Sequence, residues 1–372
     1  MSKRTRRVIL VSPAYLGSKR RIGFHHLARA YWDLGWDVVF VTAPISFLSR
    51  IRRDYRFEYP VLAEANRLVQ VRERLTSFVL MTRWQPGNLR LPLANRLSAP
   101  VFRRYAHVPL GPLADVLPGT DLVVFEGTAA LLLVERFRRL APIARIVYRA
   151  SDDLRRLKAH PLILEVEAEA VAQVDLVSVP TREMAAALGA YGPVQVHPPA
   201  VDKAAFDRPT ASPYDAEPVA VFVGVTRLFD YETLARAARV APHVAFHVVG
   251  LEARAMPRNV TFHPVLPFDD VVPYLRHATY GLLFFPPGYP SLAQGNKVAQ
   301  CSYCRLPIVA PSFLASDREN MCTFEVGDEE SLRRALAAAE TMPHAPSFAE
   351  GIPSAEELAA ALAGDVPART RA

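Results

Sequence analysis

Glycine is scarce in this chain and is nowhere arranged as a phosphate cradle: 17 glycines stand against 32 prolines in 372 residues. Neither G-x-G-x-x-G nor G-x-x-x-x-G-K-[ST] occurs, which disfavours dinucleotide-fingerprint and P-loop enzymes. Cysteine is scarcer still, and its odd count of three suits a reducing compartment better than a disulfide framework. Cys301 and Cys304 form a CxxC inside a helical pattern, with no second pair and no nearby His. They read as small core residues rather than metal or redox ligands. Long apolar runs are also missing. The first, Val8 to Val11, stops at Ser12 and Pro13, too short for the core of a signal peptide. No stretch reaches the length of a transmembrane helix, so residence in the cytosol is expected. No internal repeat or low-complexity tract stands out.

What is present is enough chain for two domains with large cores. Apolar residues make up 51% and charged residues 22%, the balance of a folded globular protein. The net charge of +7 conceals an asymmetry. Residues 1 to 120 hold 20 Lys and Arg against 7 Asp and Glu, and the remainder 24 against 30. So basic a first third calls for an anionic partner: nucleic acid, acidic lipid headgroups or a pyrophosphate-bearing substrate.

Short apolar strands alternate with helical spacing. Val8–Ser12, Val38–Val41, Leu122–Phe125, Ile146–Tyr148 and Leu176–Val179 read as strands. Helical patterns cover 22–34, 128–140 and 162–173. Prolines 198, 199, 209, 213 and 218 interrupt the rhythm, and it then restarts. Strands are expected at 219–223, 244–249, 260–262, 281–285 and 307–310, and helices at 229–240, 268–277, 296–304, 329–340 and 355–362. The fold class is therefore α/β, with domains at 1–198 and 199–345 and a tail at 346–372 that packs back on the first domain. Two Rossmann-like domains facing across a cleft resemble the GT-B architecture of nucleotide-sugar glycosyltransferases. The outline also fits non-hydrolysing sugar-nucleotide epimerases and periplasmic binding proteins.

Within the first domain, residues 43–120 break the βα rhythm, and a connection of that length is usually functional. Twelve arginines, from Arg50 and Arg56 to Arg103 and Arg104, interleave there with Phe47, Leu48, Tyr55, Phe57, Phe78, Leu80, Met81, Trp84, Leu89, Leu91, Leu93 and Phe102. Such a mixture suits insertion among acidic headgroups. The plainer alternative is a helical excursion with solvated arginines. No nucleic-acid module is visible, so an anionic membrane surface is the expected partner.

The most informative ten residues are R-I-V-Y-R-A-S-D-D-L, Arg145 to Leu154. An apolar strand ends there in two adjacent carboxylates, Asp152 and Asp153. Ligands of open α/β sheets sit beyond the carboxyl ends of strands, and a carboxylate so placed can take a proton from an attacking hydroxyl. Capping the next helix is the competing role.

V-F-E-G at 124–127 and V-Y-R-A-S-D at 147–152 resemble the GumK-type glucuronosyltransferases of bacterial exopolysaccharide assembly. So do S-P-Y at 212–214, L-F-D at 228–230, F-H-V-V-G at 246–250, and K-V-A-Q at 297–300 with Leu306 and Pro307. The resemblance implies a monotopic, inverting GT-B enzyme. It would move glucuronic acid from UDP-glucuronate to a polyprenyl-pyrophosphate-linked oligosaccharide at the cytoplasmic membrane face. Asp152 takes the place of the family's catalytic base; Asp153 stands where the family has Gly. No metal and no cofactor is expected, the UDP-sugar being a substrate.

On the donor side, Lys297 and Asn296 at a helix start, Gln300 three residues on, Thr226 and Arg227 after the 219–223 strand, and Phe285 and Tyr289 beside the uracil are the candidates. Gln300, where retaining enzymes usually keep Glu, favours inversion over a retaining GT-B transferase. For the acceptor or lipid side the candidates are Lys19, Arg20, Arg21 and Glu126, with His25 as a second candidate base. A UDP-sugar epimerase of the same fold is the rival reading, and it leaves the basic insertion unexplained.

Overall fold

Arg7–Ser12 (β1) reads R-V-I-L-V-S, an aliphatic run without polar alternation, as in a strand covered on both faces. Val8 to Val11 are fully buried, and so are Leu122 to Phe125 of the neighbouring strand. The computed structural model of the chain describes residues 4–215, 218–226, 228–287 and 295–365. It divides into two compact units, Met1–Ser18 with Phe24–Pro198 and Ala355–Ala372, and Lys19–Gly23 with Pro199–Ser354.

The first unit is built on eight strands. After β1 come β2 (Asp37–Ser46), β3 (Leu68–Arg72), β4 (Leu75–Thr82), β5 (Leu122–Glu126), β6 (Arg145–Arg149), β7 (Leu176–Val179) and β8 (Val194–Val196). Their order is β3-β4-β2-β1-β5-β6-β7-β8, and only β3 runs antiparallel to its neighbour. The chain moves outward from β1 on one side, then crosses back to place β5 on the other. The order therefore reverses between β1 and β5, the position at which open α/β sheets bind ligands.

The second unit repeats the plan with six parallel strands: β9 (Val219–Val223), β10 (Ala245–Val249), β11 (Val260–His263), β12 (Tyr280–Leu282), β13 (Ile308–Pro311) and β14 (Met321–Phe324). Their order β11-β10-β9-β12-β13-β14 reverses between β9 and β12. Each unit has its own apolar core, around Phe125, Phe137 and Tyr148 in the first and Phe222, Phe246 and Phe284 in the second.

Several expectations need correction. Part of the long insertion is sheet: Phe78 and Leu80 on β4 are fully buried, and β4 pairs in parallel with β2. A tight hairpin, not a helix, precedes it, which is why the βα rhythm fails. The pattern over 128–140 folds as a 3-10 segment Ala129–Leu133 followed by a helix Val134–Leu140. The strand at 281–285 is only Tyr280–Leu282. The helix Arg182–Leu188 and strands β8 and β14 were not foreseen. The helix Ala355–Ala363 lies in the first unit, where the Tyr31 hydroxyl donates to the Ala359 carbonyl at 2.8 Å and Arg145 Nε to that of Leu362 at 3.1 Å.

Candidate active site

In the first unit the strand ends at the reversal point carry polar side chains in one row. Register places Val11 beside Phe125, Glu126 beside Arg149, and Arg149 beside Ser178. Ser12, the last residue of β1, accepts the Ala14 N–H at 3.1 Å through its Oγ and donates its own proton to Glu126 Oε2 at 2.5 Å. Burial pushes that carboxyl up to about 7, against the lowering effect of Ser12; the Asp152 charge raises it further, and Arg149 and Ser151 lower it.

Arg149 is buried, and its Nη1 donates to Ser178 Oγ at 2.7 Å and to the His197 carbonyl at 2.8 Å. Desolvation lowers its guanidinium to about 10, with Glu126 opposing. His197 is lowered to about 4 by burial, then by the Arg149 charge.

The two neighbouring carboxylates have different surroundings. Asp153 accepts the Arg155 N–H at 2.9 Å and pairs with Arg156 Nε at 3.2 Å, so it closes the turn. Asp152 is exposed to solvent.

In the second unit the reversal point is bordered by Gly224 and Thr226 after β9 and by the start of the helix Asn296–Tyr303. Lys297 in the first turn of that helix brings Nζ to 5.7 Å from the Phe222 ring centroid and 6.0 Å from that of Phe285, within reach of cation–π attraction. Asn296 is exposed and Gln300 half-buried. Thr226 Oγ1 accepts the Leu228 N–H at 3.0 Å and shapes the loop. The helix start, with free N–H groups and a Lys, suits an anionic ligand.

Other candidates fall elsewhere. Phe285 is only 3% exposed and belongs to the core; it backs Lys297 and has almost no free face to offer a base. His25, proposed as a second base, is buried, stacked on Phe40, with Nε2 2.9 Å from the Tyr15 carbonyl. Burial and these contacts speak for a packing role rather than that of a base. Lys19 and Arg21 are exposed and Arg20 half-buried. Arg227 and Tyr289 lie outside the described residues.

Cys301 is a buried free thiol pushed up to about 12 by burial, as a core reading requires. Among the described residues no group of three or more His, Cys, Asp or Glu is placed to hold a metal ion.

Arg149 and Ser12 were missed as parts of the site. Arg149 stood inside the Y-R-A-S-D motif, but a buried Arg at the end of a central strand was itself the signal. Conversely, L-F-D is a helix cap, with Asp230 accepting from the Glu232 and Thr233 N–H groups at 3.0 Å.

Residues 10–180 match the family described as glucuronosyltransferase GumK, N-terminal domain. A relative from Xanthomonas campestris pv. campestris, UDP-glucuronate:glycolipid 2-beta-glucuronosyltransferase, is 29% identical over 313 residues, covering 82% of this chain and 76% of its own. Among solved structures, Arabidopsis thaliana UGT89C1 complexed with UDP superposes with a TM-score of 0.57 at 12% identity, over 97% of this chain and 100% of its own. The trehalose-6-phosphate phosphatase N-terminal domain of Candida albicans gives 0.61 at 12% identity, over 98% and 97%. These structural likenesses establish the fold. The fold they share is GT-B, and the family match over residues 10–180, which include Asp152, together with the 29% identical relative supports a glycosyltransferase of GumK type.

Proposed function

We propose that this enzyme is an inverting glucuronosyltransferase that uses UDP-glucuronate and a polyprenyl-pyrophosphate-linked oligosaccharide at an acidic membrane surface. The observation that carries the reading is the exposed Asp152 just beyond β6, inside the region matched by the GumK family. The activity for which the Xanthomonas relative is named supports the donor and a glycolipid acceptor. Asp152 takes the proton of an acceptor hydroxyl, whose oxygen bonds to the anomeric carbon as the bond to the UDP oxygen breaks. UDP leaves with the electron pair, and a single displacement inverts the centre. Lys297 and the N–H groups of its helix meet the charge growing on the diphosphate. Gln300 supplies an amide that can both donate to and accept from a ribose.

Membrane association has its own support. The helix Pro92–Arg103 presents Leu93, Leu97 and Val101, one stripe at i, i+4 and i+8, at 68, 70 and 46% exposure. Leu89, Leu91, Phe47, Leu48 and Ile51 are exposed as well, and Arg52 Nη1 lies 3.4 Å from the position of a Cβ on Gly87, linking the two segments. Exposed Arg50, Arg53, Arg90, Arg96 and Arg104 accompany them. Apolar groups with cations on the same face match the depth profile of an acidic leaflet. The insertion is thus divided: Phe78, Leu80 and Met81 serve the core, and Arg56 is buried on Asp54 and the Pro13 and Pro44 carbonyls. No described helix is long and apolar enough to cross a membrane.

The decisive assay follows radiolabelled glucuronate from UDP-glucuronate into lipid-linked acceptor. Asp152→Asn is expected to lose at least about a thousandfold in turnover with UDP affinity retained. Turnover within tenfold of wild type rejects the base, and transfer from another UDP-sugar in preference rejects the donor.

A further inference from the structure

Three arginines on the helix Val134–Leu140 of the first unit have different surroundings. Arg138 is fully engaged: its Nη2 meets the Gln173 carbonyl and Asp175 Oδ2, each at 2.9 Å. A cation in a last helical turn needs no further purpose. Arg136 and Arg139 lie one turn apart on another side of the helix, a spacing at which like charges repel. Arg136 has no carboxylate partner among the described residues, and Arg139 is held loosely, 3.7 Å from Glu135.

These two arginines border a cavity of about 400 Å³, lined by His107, Ala114, Arg136, Arg139 and Leu140. Its walls carry two guanidinium groups and an imidazole, and no carboxylate. Arg136 Nη1 donates to the carbonyl of Val108, the residue after His107, which ties this wall to the segment that carries the imidazole. The His107 ring has no hydrogen-bond partner among the described residues. Guanidinium forks suit phosphate oxygens two bonds at a time, an imidazole adds a donor, and the volume is that of a small-molecule site.

Position indicates which phosphate. The 3-10 segment Arg104–His107 continues the helix Pro92–Arg103 without a break. Residues three apart eclipse in a 3-10 helix, so Arg104 and His107 share an edge and extend the line of Leu93, Leu97 and Val101. An amphipathic helix lies flat in the interface with its apolar stripe at the acyl boundary. A basic cavity at the end of that line sits at the level of the headgroup phosphates.

We propose that this cavity binds a phosphate group, that of a lipid headgroup beside the leucine stripe. The headgroup as its source rests on the proposed membrane association; the phosphate chemistry does not.

The His107 imidazole is a reporter inside the site. Its proton resonance in the full chain, assigned by its absence from His107→Gln, should move when inorganic phosphate is added with UDP present to occupy Lys297. Sodium chloride of equal ionic strength should leave it in place. Arg136→Gln combined with Arg139→Gln should raise the phosphate concentration needed at least about tenfold, two charge-assisted contacts being lost. If the loss of the Val108 bond unfolds that variant, Arg139→Gln alone, at a side chain 64% exposed, should raise it about threefold.

Vesicles identify the source. Neutral vesicles carrying phosphatidate are compared with neutral vesicles brought to the same surface charge by oleate. The wild-type chain should bind the phosphatidate vesicles at least about tenfold more tightly, and the double variant should bind the two alike. A His107 resonance indifferent to phosphate overturns the site. A preference for phosphatidate that survives both substitutions places the lipid phosphate elsewhere. A resonance that moves with phosphate, in a chain that treats the two vesicles alike, upholds the phosphate site and overturns the headgroup as its occupant. The same response in a chain that binds no vesicle refutes the membrane association as well, and leaves the site standing.

Discussion

A Cβ on Gly224 would lie 2.4 Å from Cε and 2.8 Å from Nζ of Lys297. The missing side chain at the end of β9 is thus the space in which the lysine lies. Gly224→Ala drives out the flexible end of Lys297, which moves at little cost to the core, while the φ of 157° adds strain of about 1–2 kcal/mol. UDP affinity is expected to fall about tenfold, as in Lys297→Ala, by the loss of one charge-assisted contact. Titration calorimetry of both variants and their combination decides the case. The double variant should bind UDP no worse than Lys297→Ala alone, because both remove the same contact; additive losses sink the argument.

The pH dependence of stability has two opposing sources at the strand ends. Glu126 is raised from 4.5 to about 7. Between those values the native state holds more protons than the unfolded one, so stability falls as pH rises through this window. His197 is lowered from 6.5 to about 4, and its contribution runs the other way, full above 6.5 and lost as pH falls toward 4. Glu126→Gln removes the first effect. Its melting temperature should match wild type near pH 5 and exceed it at pH 8, by about 2 kcal/mol or roughly 5 °C. Calorimetry at four pH values checks this; a variant melting below wild type at pH 8 shows that pairing, not burial, governs the carboxyl. Glu126 would then be a residue the fold holds at a cost to its stability.

The alternation of aliphatic strands with 3.6-residue patterns was enough to expose two Rossmann-like halves, because strands such as V-I-L-V carry their burial in their composition. Asp152 was legible for the same reason, as the charge that breaks an apolar run. The pairing of Ser12 with Glu126 was not. Ser12 and Glu126 are 114 residues apart and meet only because β5 crosses back to pair with β1, a pairing that local periodicity does not encode. The insertion misled because L-T-S-F-V-L-M-T has a strand's composition without the helix that normally precedes a parallel partner. His25 misled in the opposite way: a polar residue at a helix start implied a mouth, whereas stacking on Phe40 and a backbone carbonyl had already used it.

His160 joins the exposed helix Pro92–Arg103 to the segment that follows Asp152. Its Nδ1 accepts the Leu162 N–H at 3.1 Å and caps the helix Pro161–Val171, so the proton resides on Nε2 and is donated to Ser98 Oγ at 3.2 Å. Ser98 passes its own proton to the Asn95 carbonyl at 3.0 Å, and Phe102 meets the imidazole edge-on. His160→Ala should cost about 2 kcal/mol, roughly half from the cap and half from the lost contacts. His160→Asn, which caps but does not reach Ser98, should recover about 1 kcal/mol. Urea denaturation measures both, and equal losses in the two variants would assign the whole effect to packing.

The stripe of Leu93, Leu97 and Val101 should act at a membrane and nowhere else. Each leucine moved from water into the acyl boundary contributes about 1.5 kcal/mol, and a carboxylate in its place removes that gain and is repelled by acidic lipid. Leu93→Glu with Leu97→Glu should therefore reduce partitioning onto anionic vesicles by at least about a hundredfold. Wild-type binding should weaken in high salt as the arginines are screened. Because both leucines are already exposed in the free chain, the melting temperature should stay within about 1 °C of wild type. UDP affinity, which the proposed reading assigns to the second unit, should not change. Co-sedimentation with anionic and neutral vesicles separates the cases. A double variant that still sediments like wild type places the docking face elsewhere, and one that sediments less but also melts early has lost its fold rather than its membrane contact.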